Sequence, residues 1–148
     1  MLTIPASVLN ALERHGAAAY PNEGAGLLLG QAGNGHKTVV DILPLANRWG
    51  AEEQYHRFLL TPQDMLQGEA EAARRGLEVI GIFHSHPDHP AQPSPFDRDW
   101  ALPWYSYLIT SVENGRASLS RSWLLKEDRS AFEEENLVRL TTDAASKS

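Results

Sequence analysis

The sequence predicts one mixed α/β domain, on three observations. Short apolar runs bounded by glycine, GAGLLLG at residues 24–30 and LEVIGIF at residues 77–83, have the length and composition of buried strands. Between them lies a helix-start signal, Thr61-Pro62-Gln63-Asp64, with a capping hydroxyl, a proline at the first helical position and an acid two residues on. Asn34-Gly35 and Asn114-Gly115 supply tight turns between strand-like stretches. At 148 residues the chain has the length of one ordinary domain, able to bury about two-thirds of its unfolded surface.

Taken in order, Thr3 is placed to cap a first helix with Ile4, Val8, Leu9 and Leu12 on one face, fading at Gly16. Residues 24–30 form a buried strand, and residues 38–45 return as its hairpin partner. Residues 55–60 read as a further strand. The helix opened by Thr61 carries Met65, Leu66, Ala70 and Ala73 and stops at Gly76. Residues 77–83 are the most strand-like stretch. A proline-rich loop follows over residues 86–95, then a short helix beginning near Ser94. Residues 105–112 and 117–125 form a second hairpin around Asn114-Gly115. The domain is expected to occupy residues 1–140, with a small, polar, fraying tail at 141–148.

Composition excludes several classes. A formal charge of −6 argues against nucleic acid or an anionic membrane as the main partner. No apolar run reaches the roughly 18 residues of a membrane span, and the first residues lack the pattern of an export signal. Cytoplasmic localisation is the expectation. The chain has no cysteine, which removes disulfides, thiolate nucleophiles and every cysteine-based zinc site.

Chemistry concentrates where the LEVIGIF strand ends. His84 and His86 are two apart, and in a strand such residues point to the same face. Zinc takes tetrahedral N and O ligands at about 2.0–2.2 Å, and catalytic sites keep one position for water. Asp97, after a loop of ten residues, is the candidate third ligand. A nearby carboxylate must then accept the proton of the attacking water. Glu23, beside the GAGLLLG strand, is the candidate base. Each residue has a bland reading too. Ser94-Pro95-Phe96-Asp97 is a good helix cap in its own right, and Thr61 to Asp64 shows the same pattern with no His-x-His pair before it. The two roles are compatible, because a cap fixes Asp97 at a defined helix end.

The joint spacing is more specific. Glu23, His84-Ser85-His86-Pro87, Ser94 and Asp97 together resemble the JAMM (MPN-plus) metalloprotease family, with no motif residue missing. PNEGAGLLLG is similar to that family's first strand motif, although a cysteine common there is Ala25 here. The resemblance spans the chain from about Ile4 to Leu125 and implies a curved mixed sheet flanked by helices. It implies one zinc per chain held by His84, His86 and Asp97, with Glu23 as base and Ser94 donating to the oxyanion. It also implies a substrate bond after the C-terminal Gly-Gly of a ubiquitin-like or sulfur-carrier protein, the partner of the family's short prokaryotic members.

Other readings are weaker. His84 to His89 matches the His-x-His-x-Asp-His signature of metallo-β-lactamase-like hydrolases, but no histidine follows His89 to complete that site. A cysteine-dependent zinc deaminase fails for want of cysteine. A DNA-associated protein with a similar motif is disfavoured by the acidic charge. A metal-free MPN-type interaction scaffold is the alternative from another class, and such scaffolds typically have ligands or base replaced.

Overall fold

The computed structural model describes residues 1–45 and 60–141. Their elements are β1 (Leu2–Pro5), α1 (Ala6–Ala19), β2 (Ala25–Gly33), β3 (His36–Leu45), α2 (Pro62–Arg74), β4 (Glu78–Pro87), α3 (Pro95–Trp100), β5 (Ser106–Glu113), β6 (Arg116–Leu125), β7 (Phe132–Glu135) and β8 (Leu137–Leu140). All the strands join one sheet in the order β7-β6-β5-β4-β2-β3-β1-β8. It is mixed: β4 runs parallel to β5, and β1 runs parallel to β3 and β8.

The two edge strands, β7 and β8, are separated in sequence by Asn136 alone. Opposite edges can follow one another so closely only if the sheet curls nearly shut. Consistent with this, α1 packs against β1, β3, β4, β5, β6 and β8, strands from across the whole order. Leu9 and Leu12 of α1 meet Leu28, Val39, Ile80, Phe83 and Leu108 in one buried cluster. On the other face Leu27, Leu29, Val79, Ile82, Tyr105 and Tyr107 pack with Ala72 of α2. Adjacent residues of β2 thus serve different layers, as the two-residue period of a strand requires.

The first helix differs from the expectation. Leu2 and Ile4 are fully buried between β3 and β8, so the segment pairs as a strand and the helix begins only at Ala6. Thr3 does not cap it; the Thr3 hydroxyl lies 2.7 Å from His36 Nε2. Nor does Gly16 end the helix, which continues to Ala19. A Cβ at Gly16 would come within 2.9 Å of the Ser85 Cβ, so glycine there permits α1 to lie directly on β4.

In α2, Thr61 and Asp64 form the expected capping box. The helix ends in a Schellman motif: Gly76 adopts φ +74°, its N–H donates to Ala73 O, and Leu77 N–H donates to Ala72 O. Its buried line is Asp64, Gly68 and Ala72, whereas Leu66, Ala70 and Ala73 face outward. Gly68 explains the shift, since a Cβ there would overlap Leu27. Both Asn-Gly pairs turn with positive φ at both residues, as hairpin turns need. The strand expected at residues 55–60 and the tail from 142 lie outside the described residues, apart from Leu60, which is not in a strand.

A bulge in β4 sets the site. Pairing with β2 passes from Leu28↔Gly81 to Leu29↔Val79, leaving Ile80 unpaired. One extra residue reverses the facing of everything beyond it. Ile82 therefore joins Val79 on the α2 side, and His84 and His86 follow it by period two. Phe83 and Ser85 turn toward α1.

Candidate active site

His84 and His86 project from the end of β4, where the strand continues beside β5 to Pro87 rather than stopping at Phe83. Their Nε2 atoms lie 3.1 Å apart. Asp97 arrives from the first turn of α3. Ser94 Oγ accepts the Asp97 N–H at 3.1 Å, and the Ser94 N–H donates to Asp97 Oδ2 at 2.8 Å. This cap turns the carboxylate onto the histidines, with Oδ1 at 3.3 Å from His84 Nε2 and Oδ2 at 3.2 Å from His86 Nε2.

These donors suit a cation. Ligand atoms about 2.0–2.1 Å from a tetrahedral ion are separated from one another by roughly 3.3–3.4 Å, close to the spacings above. Among the described residues, His84, His86 and Asp97 are the group whose ligand atoms close to within 4.8 Å of one another. The second nitrogen of His86 is already committed: Nδ1 lies 3.0 Å from the Pro90 carbonyl, an acceptor only, so it carries the proton. With that proton on Nδ1, a neutral His86 offers its Nε2 lone pair to a cation in place of a hydrogen bond to Asp97. Burial pushes the Asp97 carboxyl up, but the two imidazoles, by charge and by hydrogen bonding, more than reverse this and hold it well below the usual carboxylate range.

Glu23 stands just before β2, whose first residue, Ala25, pairs with His84. Ser85, between the two histidines, anchors the approach: its Oγ accepts the Gly24 N–H at 2.8 Å, and its own N–H donates to Gly24 O at 2.9 Å. Glu23 is 7% exposed. Burial pushes its carboxyl up to about 8, with the His86 charge pulling down and the Asp97 charge adding to the rise. Both charges act on Glu23 because it lies within electrostatic reach of these ligands. Ser94 uses its oxygen as an acceptor in the cap, which leaves its O–H free to donate elsewhere.

The structure clusters His84, His86 and Asp97, seats Ser94 against Asp97 through the cap, and buries Glu23 within electrostatic range of His86 and Asp97. It gives a role to Ser85, a motif residue to which the sequence assigned none. The glycines at 16 and 24, each pressed against a neighbouring element, were the available signal that something packs tightly there. A cleft of about 320 Å³ runs from His84 and Asp97 between Leu60, Met65, Ile82, Leu102, Tyr105 and Tyr107. The loop over residues 87–93 does not border it. Gln92 and Pro93 line a separate depression with Arg98 and Trp123.

A sheet curled around one helix, with a His-x-His pair ending a central strand and facing a helix-capping aspartate, defines a JAB-type domain. The family model described as "Prokaryotic homologs of the JAB domain" matches residues 5–126, and the chain belongs to that family. It is 31% identical over 122 residues to a protein of Thermus thermophilus named "Probable TtuB-protein conjugate cleaving protease", covering 80% of this chain and 76% of that one. It is 29% identical over 126 residues to a "Desampylase" of Pyrococcus furiosus, covering 85% and 82%. The solution structure of a protein from Desulfitobacterium hafniense is similar with a TM-score of 0.83 at 30% identity, over 96% of this chain and 94% of that one.

Proposed function

We propose that the protein is a zinc-dependent peptidase that cleaves peptide or isopeptide bonds following the C-terminal glycines of a ubiquitin-like or sulfur-carrier protein. The observation that carries this reading is the convergence of three ligand atoms, with a buried carboxyl, Glu23, within their electrostatic range and not itself among them. Two relatives bear names of conjugate-processing proteins, which supports the substrate class.

His84, His86 and Asp97 would hold the ion, one per chain. When bound, zinc supplies Lewis acidity that can bring the pKa of water to about 7 and polarise a carbonyl. Glu23 takes the proton from the attacking water and returns it to the departing amine. A cation at the centre opposes the burial that otherwise keeps Glu23 protonated, so that it can begin the cycle ionised. Ser94 donates its O–H to the oxygen that gains charge as the carbonyl is attacked, a contribution worth about 10²–10³ in rate when lost elsewhere. The cap is compatible with that role, since the hydroxyl accepts the Asp97 N–H and keeps its own proton to donate.

The test is to incubate purified, zinc-loaded protein with a sulfur-carrier protein extended beyond its Gly-Gly, and to read the products by mass spectrometry. Cleavage after the second glycine, abolished by chelation and restored by zinc, is the expected result. An intact substrate would refute the activity, and chelator-insensitive cleavage would refute the metal.

A further inference from the structure

The loop leaving His86 is fastened at successive points by residues outside the motif. Asp88 adopts φ +56°, a conformation uncommon for a residue with a side chain. Its N–H donates to Val112 O at 2.7 Å. Its carboxylate accepts the Tyr20 hydroxyl at 2.5 Å and the Asn114 N–H at 3.0 Å. Three consecutive carbonyls follow, at His89, Pro90 and Ala91. The outer two are held by the sheet: Ser111 Oγ donates to His89 O at 2.6 Å, and Trp123 Nε1 donates to Ala91 O at 3.0 Å. The middle carbonyl, Pro90 O, faces His86 Nδ1 at 3.0 Å.

This alternation has a chemical consequence. Proline has no N–H, so Pro90 offers only its carbonyl. With both neighbouring carbonyls tied to β5 and β6, the peptide plane of Pro90 has little freedom to rotate away. His86 stands between two acceptors, the Pro90 carbonyl at Nδ1 and Asp97 Oδ2, 3.2 Å from Nε2. Holding the carbonyl in place draws the proton to Nδ1 and leaves the Nε2 lone pair for a cation. Ser111 is 4% exposed and Ala91 is 2% exposed, so water competes poorly for these bonds.

We propose that Ser111 and Trp123, with Asp88 fixing the loop entrance, are positioning residues that hold the Pro90 carbonyl against His86 and thereby set its tautomer. This rests on the reading of His86 as a ligand. The strap acts before any ion binds, so it has a readout of its own.

The experiment uses the full chain as wild type, Ser111→Ala and Trp123→Phe, the second of which keeps a ring while deleting the donor. Zinc affinity is measured by competition with a chelator, and the His86 tautomer by ¹⁵N NMR of the imidazole in the zinc-free protein. Each variant is expected to bind zinc about 10–100-fold more weakly, the usual scale for removing such support. In each, the His86 proton is expected to lose its preference for Nδ1 while the melting of the zinc-free protein stays cooperative. Ser111→Thr, which keeps the hydroxyl, should restore both. Wild-type affinity and tautomer in Ser111→Ala and Trp123→Phe would overturn the proposal, as would weaker binding with the proton still fixed on Nδ1. Should the wild type itself bind no zinc, the ligand reading fails, and the NMR comparison alone decides whether the strap sets the tautomer.

Discussion

The chain uses the same four-residue device twice, and the comparison separates architecture from chemistry. Thr61-Pro62-Gln63-Asp64 and Ser94-Pro95-Phe96-Asp97 each close a reciprocal capping box, with an N–H to hydroxyl distance of 3.1 Å in both. Both border the same cleft, through Thr61 and through Asp97. Asp64 is turned inward beneath α2 and is 1% exposed. Asp97 meets two imidazoles. What differs is the position of the helix start relative to the end of β4. A cap is therefore a way to fix a carboxylate, and its neighbours decide what the carboxylate does.

The largest effect should come from the two aspartates. Asp97→Asn is expected to abolish stoichiometric zinc and cleavage together, because an amide is a far poorer zinc ligand than a carboxylate. Asp64→Asn should keep one zinc per chain and lose only stability. Equal metal loss in both variants, read by elemental analysis, would break the distinction.

The hydroxyls sharpen it. Ser94→Ala and Thr61→Ala should each cost about 0.5–2 kcal/mol in denaturant unfolding through the lost cap. Only Ser94→Ala should also lower kcat, by roughly 10²–10³, with zinc retained. A kcat equal to that of Thr61→Ala would make Ser94 a cap and nothing more.

A smaller effect concerns stability and pH. The Glu23 carboxyl, from an ordinary value of 4.5, is pushed up to about 8 in the zinc-free fold. Between those values the unfolded chain has released the proton that the folded chain still holds. Glu23 therefore makes the zinc-free protein less stable as pH rises from 4.5 to about 8. Glu23→Gln should remove that part of the slope and melt higher than wild type near pH 8 without zinc. Parallel melting curves across this range would contradict the burial assigned to Glu23.

Much of this was legible in the sequence, for identifiable reasons. GAGLLLG, LEVIGIF and the two Asn-Gly turns are local signals, and the structure places strands and turns there. β1, β7 and β8 were not legible. Leu2 and Ile4 make too short an alternation to read and are a strand through distant partners, whereas Phe132-Glu133-Glu134-Glu135 is too polar to read and is a strand through its pairing with β6 just before it. The face of α2 was misread because burial of Gly68 depends on close approach to Leu27, which no periodicity reveals. At the site, the residue types and spacing were visible, but the bulge at Ile80 and the Ser85 anchor were not. Those two features carry His84 and His86 to the α2 side and bring in Glu23 from sixty-one positions upstream.

Whether Glu23 is the base and not a ligand is decided by the turnover of a Gly-Gly-extended sulfur-carrier protein by Glu23→Gln at verified zinc content. The amide keeps the size and hydrogen bonding of the carboxyl and removes only its capacity to accept a proton. Zinc is expected near one per chain, with turnover at least about 10²-fold below wild type. Wild-type turnover with zinc in place, or loss of the zinc itself, would contradict that assignment.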